Sequence, residues 1–426
     1  MKSIKNCYND FFRWQKENRS ILWILLAAFV IVIIAVPNIT TPGKFDRRVW
    51  ISWANYMLEN GIQNVYKLGV DYLPVTHYIL YIYAQIVGST EAIILHINSL
   101  KIFTFSIELL GIYYVYLLIR DHYKNYRQAA LVCLLILLNP AYLYDSILYG
   151  QWDGIYTTFT FISFYYALKK RLGLSILFFF VVLNTKLQGL VYFPMIAFIW
   201  LEDQIEKFEP VRIIKALVPF LTFQVLILVP FMISGDVLKV FHTGVSLVGK
   251  YPLVSMGASN FWFFILDNPL KELDLRGHWG LSYNSIGLLM FCTAIFIIFV
   301  PVLIYFIRKI TTRNYSGRFP VDKLLLMGVL IPVVFFYFNT QMHARYAHSA
   351  ILFGGAYALY TRRYLIYGLV STAYFLNLEI AAKILKGDIQ EYTLFFMQPR
   401  FVASLFGLVL ILGLANLYGV LKNKIV

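Results

Sequence analysis

A series of apolar runs, separated by short polar breaks, limits what this chain can fold into more than any other feature. The runs are Ser20–Val36, Asn98–Ile119, Gln128–Asn139, Gly154–Leu168, Leu172–Leu183, Gly189–Leu201, Val211–Ile233, Leu281–Phe306, Leu324–Asn339, Ala347–Tyr360, Leu365–Ala382 and Phe401–Val420. Charged residues make up 14% of the 426, against about 25% in a soluble chain. The polar surface that a cytosolic or secreted globular enzyme of this size needs is missing. The 36 Phe, 32 Tyr and 8 Trp also exclude disorder. The expected fold is an all-α polytopic membrane protein. Several runs fall short of the ~20 residues of a full span; they cross only by continuing into half-polar turns that line a cavity.

Charge sets the expected topology. Lys2, Lys5, Arg13, Lys16 and Arg19 precede the first run, which is long for a signal-peptide core and has no Ala-x-Ala cleavage site. It reads as an uncleaved anchor with its N-terminus inside. Tyr72–Val87 is either a further crossing or a helix lying at the membrane surface. If it does not cross, Arg120/Lys124/Arg127, Lys169/Lys170/Arg171, Arg308/Lys309/Arg313/Arg318 and Arg362/Arg363 all fall in inside loops, as the positive-inside bias requires. The reading is therefore about twelve crossings with both termini cytoplasmic. Residues 1–426 form a single transmembrane domain with outer loops 37–97 and 234–280, interfacial helices in the first loop, and no separate soluble domain. The formal charge of +15 then reports topology and contact with anionic membrane lipid, not nucleic acid. Cys7, Cys133 and Cys292 are too scattered for a disulfide framework or a zinc site.

With this topology the polar motifs face one side. Lys44-Phe45-Asp46-Arg47-Arg48-Val49-Trp50-Ile51-Ser52-Trp53 opens an amphipathic interfacial helix, with Val49, Trp53, Tyr56 and Met57 on one face and Gly61 as its C-terminal cap. Asp46 suits an N-cap, or a general base held over a cavity; the two roles are compatible. Asp71 before Leu73-Pro74 reads first as a helix start, and second as an acid lining a polar pocket. Gln151-Trp152-Asp153 at a segment end is a solvated cap or a hydroxyl-binding set of the kind sugars require. Lys186, in the break Asn184–Gln188, snorkels or meets an anion. His343 and Arg345 stand two residues apart between apolar runs with no acid nearby in sequence, and a guanidinium suits bidentate contact with phosphate. Asn260, in Ser259-Asn260-Phe261-Trp262, belongs to a stretch that covers the cavity. Glu108 and Glu379 lie inside apolar runs and face the interior, as functional acids or as partners for buried donors.

The ordered set Asp46, Asp71-Tyr72-Leu73-Pro74, Gly150-Gln151-Trp152-Asp153, Lys186-Leu187-Gln188 and Met342-His343-Ala344-Arg345-Tyr346 resembles the GT-C superfamily. These integral-membrane glycosyltransferases use polyprenyl-phosphate-linked sugars, and the likeness is greatest to bacterial mannosyltransferase-like members. It spans roughly Phe45 to Tyr346. Leu73 replaces the first Pro of the family's Asp-Tyr-Pro-Pro, and Ala344 replaces Glu in Met-His-Glu-Arg-Tyr. The resemblance implies Asp46 as catalytic base, Lys186 and Arg345 at the donor phosphate, and Asp71, Gln151, Asp153, Gln188 and His343 lining the sugar and acceptor pocket. The residues themselves also suit His343 to the donor phosphate beside Lys186 and Arg345, and Asn260 to the pocket.

The implied activity is inverting transfer of a hexose, mannose-like by the resemblance, from a polyprenyl-phosphate donor to a hydroxyl of a glycan, lipid or protein acceptor. No cofactor and no metal are expected. The implied location is the plasma (inner) membrane, with the site facing the periplasmic or extracellular side. Two other readings fit the same composition. One is a transporter or flippase for a lipid-linked or anionic solute; the other is a polysaccharide polymerase or ligase.

Overall fold

The computed structural model describes residues 2–39, 44–206, 208–246, 249–278, 280–315, 317–385 and 395–420. Residues 421–426, expected inside, lie outside the described residues, as do 40–43, 247–248 and 279 of the two outer loops. The protein is an all-α polytopic membrane protein. Among the described residues, seven helices are long and apolar enough to cross a membrane: Trp14–Ala35, Thr90–Tyr123, Pro210–Ile233, Tyr283–Thr311, Val321–Phe338, Leu365–Ala382 and Pro399–Leu417. An eighth span is Tyr126–Leu137 with Pro140–Tyr149, if these two pieces, bent by 57°, count as one.

These helices are not equivalent. Only 17–22% of the apolar windows of Trp14–Ala35, Pro210–Ile233 and Tyr283–Thr311 is buried inside the protein, against 72% for Val321–Phe338. The first three turn most of their apolar surface outward, where hydrocarbon is the compatible solvent. Val321–Phe338 packs against Ser349–Thr361, Pro399–Leu417 and Tyr283–Thr311. Asp153–Leu168 and Ser349–Thr361 are short and almost wholly buried. Shielded by neighbours, they tolerate Thr157, Thr160, Ser163 and Ser349, which would be costly facing lipid.

Near the N-terminus, helix Lys44–Asn60 buries Trp50, Trp53, Ala54 and Met57, a stripe at helical spacing. The stripe is rotated from the expected face: Val49 and Tyr56 are only partly buried, because Trp50 is taken up by Trp152 at 4.8 Å and Tyr72 at 5.2 Å. Gly61 follows with φ +76° and donates to Met57 O at 2.9 Å; this left-handed stop suits glycine. Tyr72–Val87 contains the 14-residue helix Pro74–Val87, with proline in its first turn. Its first free N–H, on Val75, donates to Asn184 O at 2.9 Å, so the helix start is seated on the break that carries Lys186.

Candidate active site

Four local devices bring the polar residues together. Asp46 stands within the first turn of Lys44–Asn60, where the helix field favours an acid, and its side chain is 28% exposed. The bent segment ends in the π-turn Tyr144–Tyr149, closed by Gly150 in the left-handed conformation. Gln151 N donates to Asp145 O at 2.9 Å, and this reversal directs Gln151 and Asp153 toward Asp46. The break after Leu183 is fixed by Asn184, which donates to Phe180 O at 2.8 Å and Gln224 Oε1 at 2.9 Å. On the fourth segment, Met342–His343 pairs as a short parallel strand with Ser255–Met256. Asn377 and Tyr374 donate to the backbone carbonyls of Ala344 and Arg345 at 2.7 and 3.1 Å.

The result is one charged cluster. Gln151 Nε2 donates to Asp46 Oδ2 at 2.9 Å. Arg345 reaches two acids, Asp153 Oδ2 at 3.2 Å and Asp46 Oδ2 at 3.9 Å. Lys186 Nζ meets Asp153 Oδ1 at 2.7 Å and lies 4.7 Å from the Tyr346 ring centroid, within cation–π range. Burial pulls the Lys186 ammonium below its usual range, partly offset by Asp153. Loss of water contact, with Arg345 and Lys186 nearby, pushes His343 down to about 3. Its imidazole is therefore neutral at pH 7 and offers the site a hydrogen bond, not a charge.

Asp46, Gln151, Asp153, Lys186 and Arg345 are thus joined by direct contacts, with His343 beside them. Asp153 is neither solvated nor a cap: it is 0% exposed and is the shared counter-ion of Lys186 and Arg345. Asp71 caps no helix, since Leu73 holds that position; it makes an ion pair with Lys250 of the second loop. The Gln188 amide is buried without a hydrogen-bond partner among the described residues. Asn260 is not in the cluster. Its amide donates to Phe336 O at 3.1 Å and Asn339 O at 3.4 Å, and its carbonyl accepts from Trp262 N, so it pins the second loop to the end of Val321–Phe338. Glu108 and Glu379 accept from Ser146 and Tyr144, each at 2.5 Å, the structural alternative for both.

A cleft beside Asp46 is lined by Arg47, Trp50 and Trp152 of the motifs already named, and by Asn98 and Lys101, which escaped the sequence reading. Lys101 is 5% exposed and donates to Ile39 O at 3.0 Å. A lysine in an otherwise apolar run was its available signal. Beneath the cluster, His348 Nδ1 lies 3.2 Å from Asp145 Oδ2, both fully buried. Comparison of the sequence with protein-family models and with curated proteins found no match.

Proposed function

We propose that this chain is an inverting GT-C-type glycosyltransferase. It would move a hexose, mannose-like by the resemblance, from a polyprenyl-phosphate donor to an acceptor hydroxyl at the outer face of the membrane. In this reading the bent segment and helices Asp153–Leu168, Leu172–Leu183, Phe193–Glu206 and Ser349–Thr361 also cross, giving twelve crossings with both ends inside. The carrying observation is that Asp46, partly exposed, shares one cluster with two partly buried cations from distant segments: Arg345 lies 3.9 Å from it, and Lys186 is joined to Arg345 through Asp153.

The proposed reaction is a single displacement. The acceptor oxygen attacks the anomeric carbon, its proton passes to the Asp46 carboxylate, and the bond from that carbon to the phosphate oxygen breaks. Negative charge gathers on the departing lipid phosphate, where Arg345 and Lys186 offset it. A preorganised donor of this kind contributes about 3–4 kcal/mol at a transition state. The second carboxylate is poorly placed to be a nucleophile: Asp153 is fully buried and tied by two cations. This favours inversion over a covalent intermediate.

Asp46→Asn keeps an acceptor for the Gln151 amide but removes the base. Turnover of a synthetic polyprenyl-phosphate hexose by the purified variant should fall at least ~100-fold, with donor binding retained. Near-parental turnover would reject Asp46 as the base, and failure of the parent protein with a panel of such donors would reject the function. One observation favours transport instead: the fully buried Asp145–His348 pair is a second polar contact within the bundle that the sugar-transfer reading does not use. Donor crossing a proteoliposome bilayer without sugar transfer would decide for that reading.

A further inference from the structure

The end of Val321–Phe338 opposite the Arg345 segment carries a groove that the proposed chemistry does not use. An 18-residue helix is about 27 Å long, so the groove and the charged cluster belong to opposite membrane faces. The groove holds about 370 Å³, between the far ends of Tyr283–Thr311 and Pro399–Leu417 and the turn at Phe319 and Pro320. Its floor is apolar, with Phe319 and Leu417 buried. Pro301 and Ile304 line its wall on the membrane side of Arg308, and Ile304 is exposed.

Two cations, Arg308 and Lys323, line this apolar space. Neither has an ion-pair partner among the described residues, and no acid lines the groove. Two nearby acids are engaged elsewhere: Asp203 holds Arg318 at 3.6 Å and Glu202 holds Lys309 at 3.8 Å. Asp322, in the first turn of the helix that carries Lys323, does not line the groove. Unmatched cations at the end of a lipid-facing wall attract anionic headgroups. Tyr305 and Tyr418 also line the groove, and tyrosine is enriched at headgroup depth.

We propose that this groove binds an anionic phospholipid, with its phosphate between Arg308 and Lys323 and an acyl chain along Ile304. A zwitterionic lipid would bring its own ammonium toward the two cations. A free phosphate would leave the apolar floor and the wall of Pro301 and Ile304 unused. The inference rests on the membrane fold alone and is independent of sugar transfer.

The test is native mass spectrometry of the full chain in detergent, titrated in turn with phosphatidylglycerol and phosphatidylcholine. The parent protein should retain one phosphatidylglycerol with about tenfold preference. The double variant Arg308→Gln, Lys323→Gln should reduce that preference to within about twofold. Ile304→Trp fills the groove without changing charge and should also displace the lipid, which keeps the test decisive if the double variant folds poorly. Equal retention of both lipids by the parent, or full preference in both variants, overturns the proposal. So does competition by inorganic phosphate at the lipid's concentration, which would mark a free-anion site.

Discussion

The protein has a charged cluster at each end of its helix bundle, and the two are built on opposite principles. At the end away from Asp46, Asp203 is 7% exposed and is met by Arg212 at 2.8 Å, Lys170 at 3.5 Å and Arg318 at 3.6 Å. Beside it, Glu202 takes Lys309 at 3.8 Å and accepts from Phe319 N at 2.8 Å. Several loops are clasped by two acids with no acid left open. At the Asp46 end, Arg345 is divided between two carboxylates, Asp46 keeps an exposed face, and Gln151 Oε1 and the Gln188 amide find no hydrogen-bond partner among the described residues. A buried charge cluster that only fastens loops gains from saturation. One left with open polar groups has capacity for something that arrives.

The strongest way to break this contrast is to remove the acid on which the open cluster depends. Asp153→Asn keeps the shape but leaves Lys186 and Arg345 without their shared counter-ion. Removing one partner of a buried ion pair costs about 3–5 kcal/mol, and Asp153 is fully buried. Thermal unfolding in detergent should show a loss of that size. Adding Lys186→Met should recover much of it, because Arg345 retains Asp46 at 3.9 Å. A single variant as stable as the parent would mean that the cations are not held by Asp153.

Asp203→Asn is the matching change at the closed cluster, and its cost should be smaller. The side chains of Lys170, Arg212 and Arg318 are 32–44% exposed, so water screens what they lose. We expect about 1–2 kcal/mol after discounting for that exposure, shrinking further in high salt. Donor affinity should not change. A fall in donor affinity matching that of a site variant would erase the functional distinction between the two ends.

How much of this was legible in the sequence follows from which solvent each residue faces. The lipid-facing helices Trp14–Ala35, Pro210–Ile233 and Tyr283–Thr311 declare themselves as long apolar runs because hydrocarbon demands it. Asp153–Leu168 and Ser349–Thr361 do so less clearly, since protein surrounds them. Asp46, Gln151, Lys186 and Arg345 stood out as polar groups against an apolar background, and they do meet. The partnerships were not legible, because they join positions far apart in the chain: Asp153 to Lys186 and Arg345, Asp71 to Lys250, Asn260 to the carbonyls of Phe336 and Asn339. The helix phase at Trp50 was missed for the same reason, its partner Trp152 lying a hundred residues away.

The smallest expected effect lies at the rim, and it sharpens the contrast because it concerns access. Lys250 joins the second loop to Asp71, with side chains 37% and 31% exposed. Such a pair contributes less than about 1 kcal/mol, so Lys250→Ala should leave thermal unfolding nearly unchanged. That loop is fastened independently through Asp274, which accepts from Gln341 at 2.6 Å, Asn284 at 3.1 Å and Thr340 at 3.2 Å. The loop should therefore stay seated and only its edge near Asp71 should loosen. If the rim governs how substrates enter, KM should change by about twofold to fivefold with kcat held, the pattern of a binding contact made equally in ground and transition states. An equal fall in kcat would instead make the Asp71–Lys250 pair part of the reacting geometry and extend the open cluster to the second loop.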